Sequence, residues 1–130
     1  MNGSPLLLDT NIVIPILNRE TIFLQRIRDK LFYLPSIVLG ELYYGARHSG
    51  KVNENLAKIE VLKAQTTILA CDGITAELYG EIKQTLHIKG HPIPENDLWI
   101  AAVARQHHLT LVTRDAHFSD IAELIIENWP

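Results

Sequence analysis

Residues 96–115, NDLWIAAVARQHHLTLVTRD, decide how the rest of the chain is read. Their spacing predicts a helix over residues 97–107 and then a strand over 109–113, with an aspartate at each outer end. At about 1.5 Å per residue the helix carries the chain roughly 16 Å away. At about 3.3 Å per residue the strand brings it back about as far. Asp97 and Asp115 are therefore expected at one edge. Asp97 also shares the i, i+3, i+4, i+7 stripe of Ile100, Ala101 and Ala104, which turns it toward the rim of the core. A carboxylate there is costly unless paired, protonated or bound to a cation. Taken alone, Asp97 reads equally as a helix cap.

The same alternation runs through the earlier residues. Leu6, Leu7 and Leu8 read as a strand buried on both faces, followed by Asp9, Thr10 and Asn11 and a helical turn over 12–17 that Pro15 limits. Strand, acid, helix is the transition at which open α/β sheets place ligands, although DTN alone is also a good helix start. A helix over 21–30 with Ile22, Phe23 and Ile27 inward and a strand over 31–34 come next. A helix over 36–48 follows, with Ser36 as its cap. Glu41 falls on its apolar stripe, between Val38 and Gly45, and the small Gly45 suggests a close approach. Tyr43 and Tyr44 are adjacent, so one of them is expected to face outward.

Further on, the pattern predicts a helix over 55–65 carrying Leu56, Ile59 and Leu62 and a strand over 66–70. Asp72 then caps a long helix with Ile74, Leu78, Ile82 and Leu86 inward, stopped by Gly90. After Asp115 come a turn over 116–119 and a strand over 124–126. The order implies one domain over residues 1–130. Its class is α/β, a three-layer α/β/α sandwich around a short, mostly parallel sheet.

Composition narrows the function. The 130 residues are 47% hydrophobic and 21% charged, the balance of a globular protein. Cys71 is the single cysteine, which excludes an intrachain disulfide and suits a reducing compartment. The apolar start is interrupted by Asp9 and lacks a basic flank, and no run reaches membrane-spanning length, so a cytoplasmic location is expected. A net charge of −3 looks unsuited to a nucleic-acid enzyme. With four acids assigned to one pocket, however, the 12 basic side chains slightly outnumber the remaining acids.

In a parallel sheet, Asp9, Glu41, Asp97 and Asp115 converge. Two like charges about 4 Å apart repel by roughly 4 kcal/mol at an effective dielectric near 20, so such a cluster takes up protons or cations. All-oxygen ligands favour Mg²⁺ or Mn²⁺ over zinc, for which no HxxxH or cysteine pair is present. There is no Gly-rich phosphate loop. The chemistry left is metal-assisted attack of water on a phosphodiester, with Thr10, Asn11 and Thr113 orienting ligands or water.

Four motifs, LLLDTN, SIVLGEL, NDLWIAA and LVTRDAHF, in this order and spacing resemble the PIN-domain ribonucleases, most closely the VapC-type toxins of bacterial toxin–antitoxin pairs. The resemblance spans nearly the whole chain, and its specificity lies in the four motifs together. It implies a Mg²⁺- or Mn²⁺-dependent endoribonuclease whose metal-binding and catalytic acids are Asp9, Glu41, Asp97 and Asp115. It also implies a homodimer and a cognate antitoxin whose tail lies along the pocket and the early helices. One departure is His117, which stands before Phe118 where family members often carry an acid. Asp120 is expected at the surface. Arg47, Lys51, Lys89 and His91 form no basic stripe with interleaved aromatics, so the RNA-contacting residues are not assigned. A housekeeping nuclease of the same fold and a silent binding module, its acids serving only as caps, are the alternative readings.

Overall fold

Leu6–Leu8 (β1) are all buried, the signature of a strand covered on both faces. The computed structural model describes residues 5–130. After β1 come α1 (Thr10–Leu17), α2 (Thr21–Ile27), β2 (Phe32–Pro35), α3 (Ser36–Arg47) and α4 (Val52–Ala64). These are followed by β3 (Thr67–Leu69), α5 (Gly73–Lys89), α6 (Glu95–His107) and β4 (Thr110–Thr113). A 3₁₀ turn (Ala116–Asp120) leads to β5 (Ile126–Asn128). The five strands form one sheet in the order β3-β2-β1-β4-β5, every pairing parallel. The α/β class is as expected, and the sheet is wholly rather than mostly parallel.

The chain winds outward from β1 in two directions, through β2 and β3 on one side and β4 and β5 on the other. The carboxyl ends of β1 and β4 therefore meet at the point where the winding reverses, the place where such sheets bind ligands. Leu8 pairs with Val112, and the Asp9 amide donates to the Val112 carbonyl at 3.0 Å. Helix α6 is buried without interruption from Ile100 to Ala104. Its alanines let it lie close between α5 and the sheet.

Several local expectations are corrected. Pro15 lies inside α1; it forfeits one backbone hydrogen bond, and the helix ends two residues later. Helix α2 stops at Ile27 because Asp29 takes a left-handed φ of 64°. Burial of Phe23 in α2 turns its neighbour Ile22 outward, 51% exposed. Ser36 is not a cap: Pro35 holds that position, and the Ser36 hydroxyl faces the Cys71 thiol. Ile74 is exposed, since residues repeating every fourth position drift about 40° per step around a helix; the buried members of that series are Ile82 and Leu86. A methyl group built on Gly45 would meet nothing within 4 Å, so no close approach requires this glycine.

Other expectations stand. Asp72 forms a capping box with Thr75 at the start of α5, and Gly90 ends that helix with φ 73°. Tyr44 faces outward, while Tyr43 donates to Glu60. Among the described residues, no helix is long and apolar enough to cross a membrane.

Candidate active site

The site begins with the residue that ends β1. Asp9 has the extended backbone of a helix N-cap, and its Oδ1 accepts from the Thr10 amide at 2.8 Å. Its Oδ2 accepts from the Thr113 hydroxyl, at the end of β4, at 2.7 Å. Only 4% of Asp9 is exposed. Capping and site-building are thus the same carboxylate, not competing explanations of it.

Neighbouring polar side chains tie the other acids to this strand end. The Thr10 hydroxyl donates to Glu41 Oε1 at 2.7 Å, joining α1 to α3. The Asn11 amide donates to Asp115 Oδ2 at 3.2 Å, while its Oδ1 accepts from the Arg114 amide. The Thr113 hydroxyl, besides donating to Asp9, accepts from the Asp115 amide at 3.0 Å. Thr10, Asn11 and Thr113 are thus each hydrogen-bonded to one or two of the four acids.

Asp97 is the third residue of α6, whose N-cap is Pro94, so it does not cap the helix. Its Oδ2 lies 2.7 Å from His117 Nε2, and that nitrogen is 4.0 Å from Asp115 Oδ2. Asp97, Asp115 and His117 offer ligand atoms within 4.8 Å of one another. Asp9 and Glu41 are not part of that tight group. They border it, close enough for charge: Asp97 and Asp115 act on Asp9, and Glu41 acts on Asp97.

The electrostatics follow from this packing. Burial pushes the Asp9 carboxyl up from 3.8 to about 6, against the hydrogen bonds from Thr113 and Thr10, and the charges of Asp97 and Asp115 push the same way. Asp97 is also raised, first by burial, with His117 opposing and Asp115 and Glu41 adding to it. Among the described residues, no lysine or arginine is bonded to any of the four acids. A set of carboxylate oxygens, crowded and short of positive charge, fits a divalent cation.

His117 is the member that the motif pattern left out. It is held over the site because the neighbouring Phe118 is fully buried and anchors the 3₁₀ turn. The available signal was its place two residues after Asp115, where an acid is common in the resembling family. Of the basic residues considered for RNA contact, Lys51 lies beside Glu54. Lys89 donates to the Asp120 carbonyl, and His91 pairs with the exposed Asp120 carboxylate.

A family model for the PIN domain matches residues 6–124. The chain is 39% identical over 127 residues to Ribonuclease VapC2 of Haemophilus influenzae, covering 95% of this chain and 96% of that protein. It is 33% identical over 127 residues to the tRNA(fMet)-specific endonuclease VapC of Shigella flexneri, with the same coverage. Among solved structures, VapBC2 of Rickettsia felis bound to a DNA fragment from its promoter superposes with a TM-score of 0.90. That chain is 32% identical, and the match covers 97% of this chain and 99% of it.

Proposed function

The chain belongs to the PIN-domain family, and we propose accordingly that it is a metal-dependent endoribonuclease, the toxin of a toxin–antitoxin pair. The observation that carries the reading is Asp9: a buried carboxylate at the meeting of β1 and β4, raised to about 6 beside two further aspartates, with no lysine or arginine bonded to it.

In this reading Asp9, Glu41, Asp97 and Asp115 hold the cation, Mg²⁺ or Mn²⁺. When bound, the cation supplies an activated water and charge stabilisation at the phosphate being cut. Thr113 and Thr10 fix both oxygens of Asp9, so that its carboxylate is preset. Thr10 aims Glu41, and Asn11 aims Asp115, from the first turn of α1. Hydrolysis forms a bond from water oxygen to phosphorus and breaks a phosphodiester P–O bond. The water gives up a proton, and the departing oxygen takes one. With all four acids engaged on the cation, both protons are exchanged with solvent at the open side of the site, where the Asp115 side chain is 46% exposed.

The partner reading rests on a groove of about 220 Å³ beside Glu41, lined by Ile14 and Leu17 of α1, Leu42 and Ala46 of α3, and Ile59 of α4. Its apolar walls, with Glu41 and Lys58 among the lining, suit the tail of a cognate antitoxin that also reaches the pocket. The reading includes a homodimer; sedimentation of the purified chain tests it.

The deciding experiment incubates the protein with total cellular RNA and Mn²⁺ or Mg²⁺, beside EDTA and Asp97→Asn controls, and maps the new ends. Discrete cuts that vanish in both controls are expected, with Asp97→Asn reducing cleavage by about a hundredfold or more while leaving the circular-dichroism spectrum unchanged. Cutting that survives in a folded Asp97→Asn protein would refute the assignment.

A further inference from the structure

The residue that departs from the family's pattern is also hydrogen-bonded to Asp97. His117 Nε2 stands 2.7 Å from Asp97 Oδ2 and 4.0 Å from Asp115 Oδ2. In an octahedral shell with bonds of about 2.1 Å, neighbouring donors are about 3 Å apart and opposite donors about 4 Å apart. The shorter separation is close to that of a neighbouring pair and the longer to that of an opposite pair, with one nitrogen and two carboxylate oxygens as donors. The imidazole is half-exposed, its side chain 37% accessible, and the buried Phe118 beside it keeps the 3₁₀ turn in place.

We propose that His117 is a ligand to the divalent cation, through Nε2, and that it tilts the site toward Mn²⁺ over Mg²⁺. This rests on the four acids forming a metal site, as proposed above. An imidazole is a softer donor than a carboxylate: Mg²⁺ is bound through oxygen and gives up water reluctantly, whereas first-row transition ions accept nitrogen readily. Coordination needs Nε2 free of its proton, which leaves the ring proton on Nδ1. His117 then exchanges its hydrogen bond with Asp97 for a cation shared with Asp97. Substituting aspartate at position 117 returns an all-oxygen set.

The test loads the full chain with substoichiometric Mn²⁺ and records pulsed electron paramagnetic resonance. Protein with ¹⁵N-labelled histidine is compared with unlabelled protein, and His117→Asp and Asp97→Asn are measured alongside. Calorimetry gives the ratio of Mn²⁺ to Mg²⁺ affinity. The expected result is a nitrogen coupling that changes isotope with the label and disappears in His117→Asp, with the affinity ratio falling about tenfold. His117→Gln replaces His117→Asp should the latter fail to fold. Bound Mn²⁺ without nitrogen coupling, or coupling that persists in the variant, overturns the role of His117 and leaves the carboxylate site standing. A folded chain that binds no Mn²⁺ overturns both.

Discussion

Asp9 does two jobs with one carboxylate: it caps α1 and presents a negative charge to the pocket. Its native pKa, about 6, lies above the ordinary 3.8, so the folded chain binds the proton more tightly than the unfolded chain. Stability without metal therefore falls as pH rises from about 4 to about 6 and stays lower above that, by about 3 kcal/mol for this group. Asparagine at position 9 keeps an oxygen to accept from the Thr10 amide, turns an NH2 donor toward the Thr113 hydroxyl in place of the second acceptor, and removes the charge. Metal-free Asp9→Asn is expected to melt several degrees above the wild type at neutral pH, the gap closing below about pH 4. Equal melting temperatures across that range would mean that the charge costs nothing. The sequence exposes this residue's duality but not its resolution: DTN alone reads first as a helix start, until Thr113, far along the chain, is seen to bond the second oxygen.

Two glycines give opposite expectations at the level of elements. Gly90 ends α5 in the left-handed region, where alanine is strained, so Gly90→Ala should lower stability by about 1 kcal/mol in a denaturant melt. Gly45 lies inside α3 with open space around it, so Gly45→Ala should raise stability by about 0.5–1 kcal/mol in the same measurement. Identical signs would contradict this account of the backbone. The elements themselves were legible because apolar periods were strong, as in α6, or because chemistry marked an end, as at Asp72 and Gly90. Helix rotation is less legible: apolar character points Ile22 inward and a four-residue repeat points Ile74 inward, yet both are exposed, because only packing decides which side of a short or drifting stripe meets the core. His117 was missed for a related reason. It sits on a 3₁₀ turn, where no period aims a side chain, and the buried Phe118 next to it does the aiming.

The whole molecule couples the site to stability. Occupied by a divalent cation at about a hundred times its dissociation constant, the wild type should gain about 2.7 kcal/mol against unfolding. Asp97→Asn should gain far less, and a thermal shift with and without EDTA reads the difference. The groove between α1, α3 and α4 makes a second prediction: Ile14→Glu should weaken antitoxin binding by about tenfold or more, measured by titration calorimetry, since a buried aliphatic side chain contributes about 1.5–3 kcal/mol. The strand order carries one more consequence. β4 lies beside β1 in the middle of the sheet, and the Thr113 that fixes Asp9 is 104 positions farther along the chain. A nascent chain that has emerged only as far as residue 109 already carries Asp9, Glu41 and Asp97. It lacks the strand that presets Asp9, and it lacks Asp115 and His117. Synthesis proceeds at about 5–20 residues per second, and the proposed cutting centre stays incomplete until β4 and the turn after it have been made. Asp9, Glu41 and Asp97 thus wait as separate acids for the strand that joins them, and a cognate antitoxin that recognises the finished pocket can engage it only from that moment.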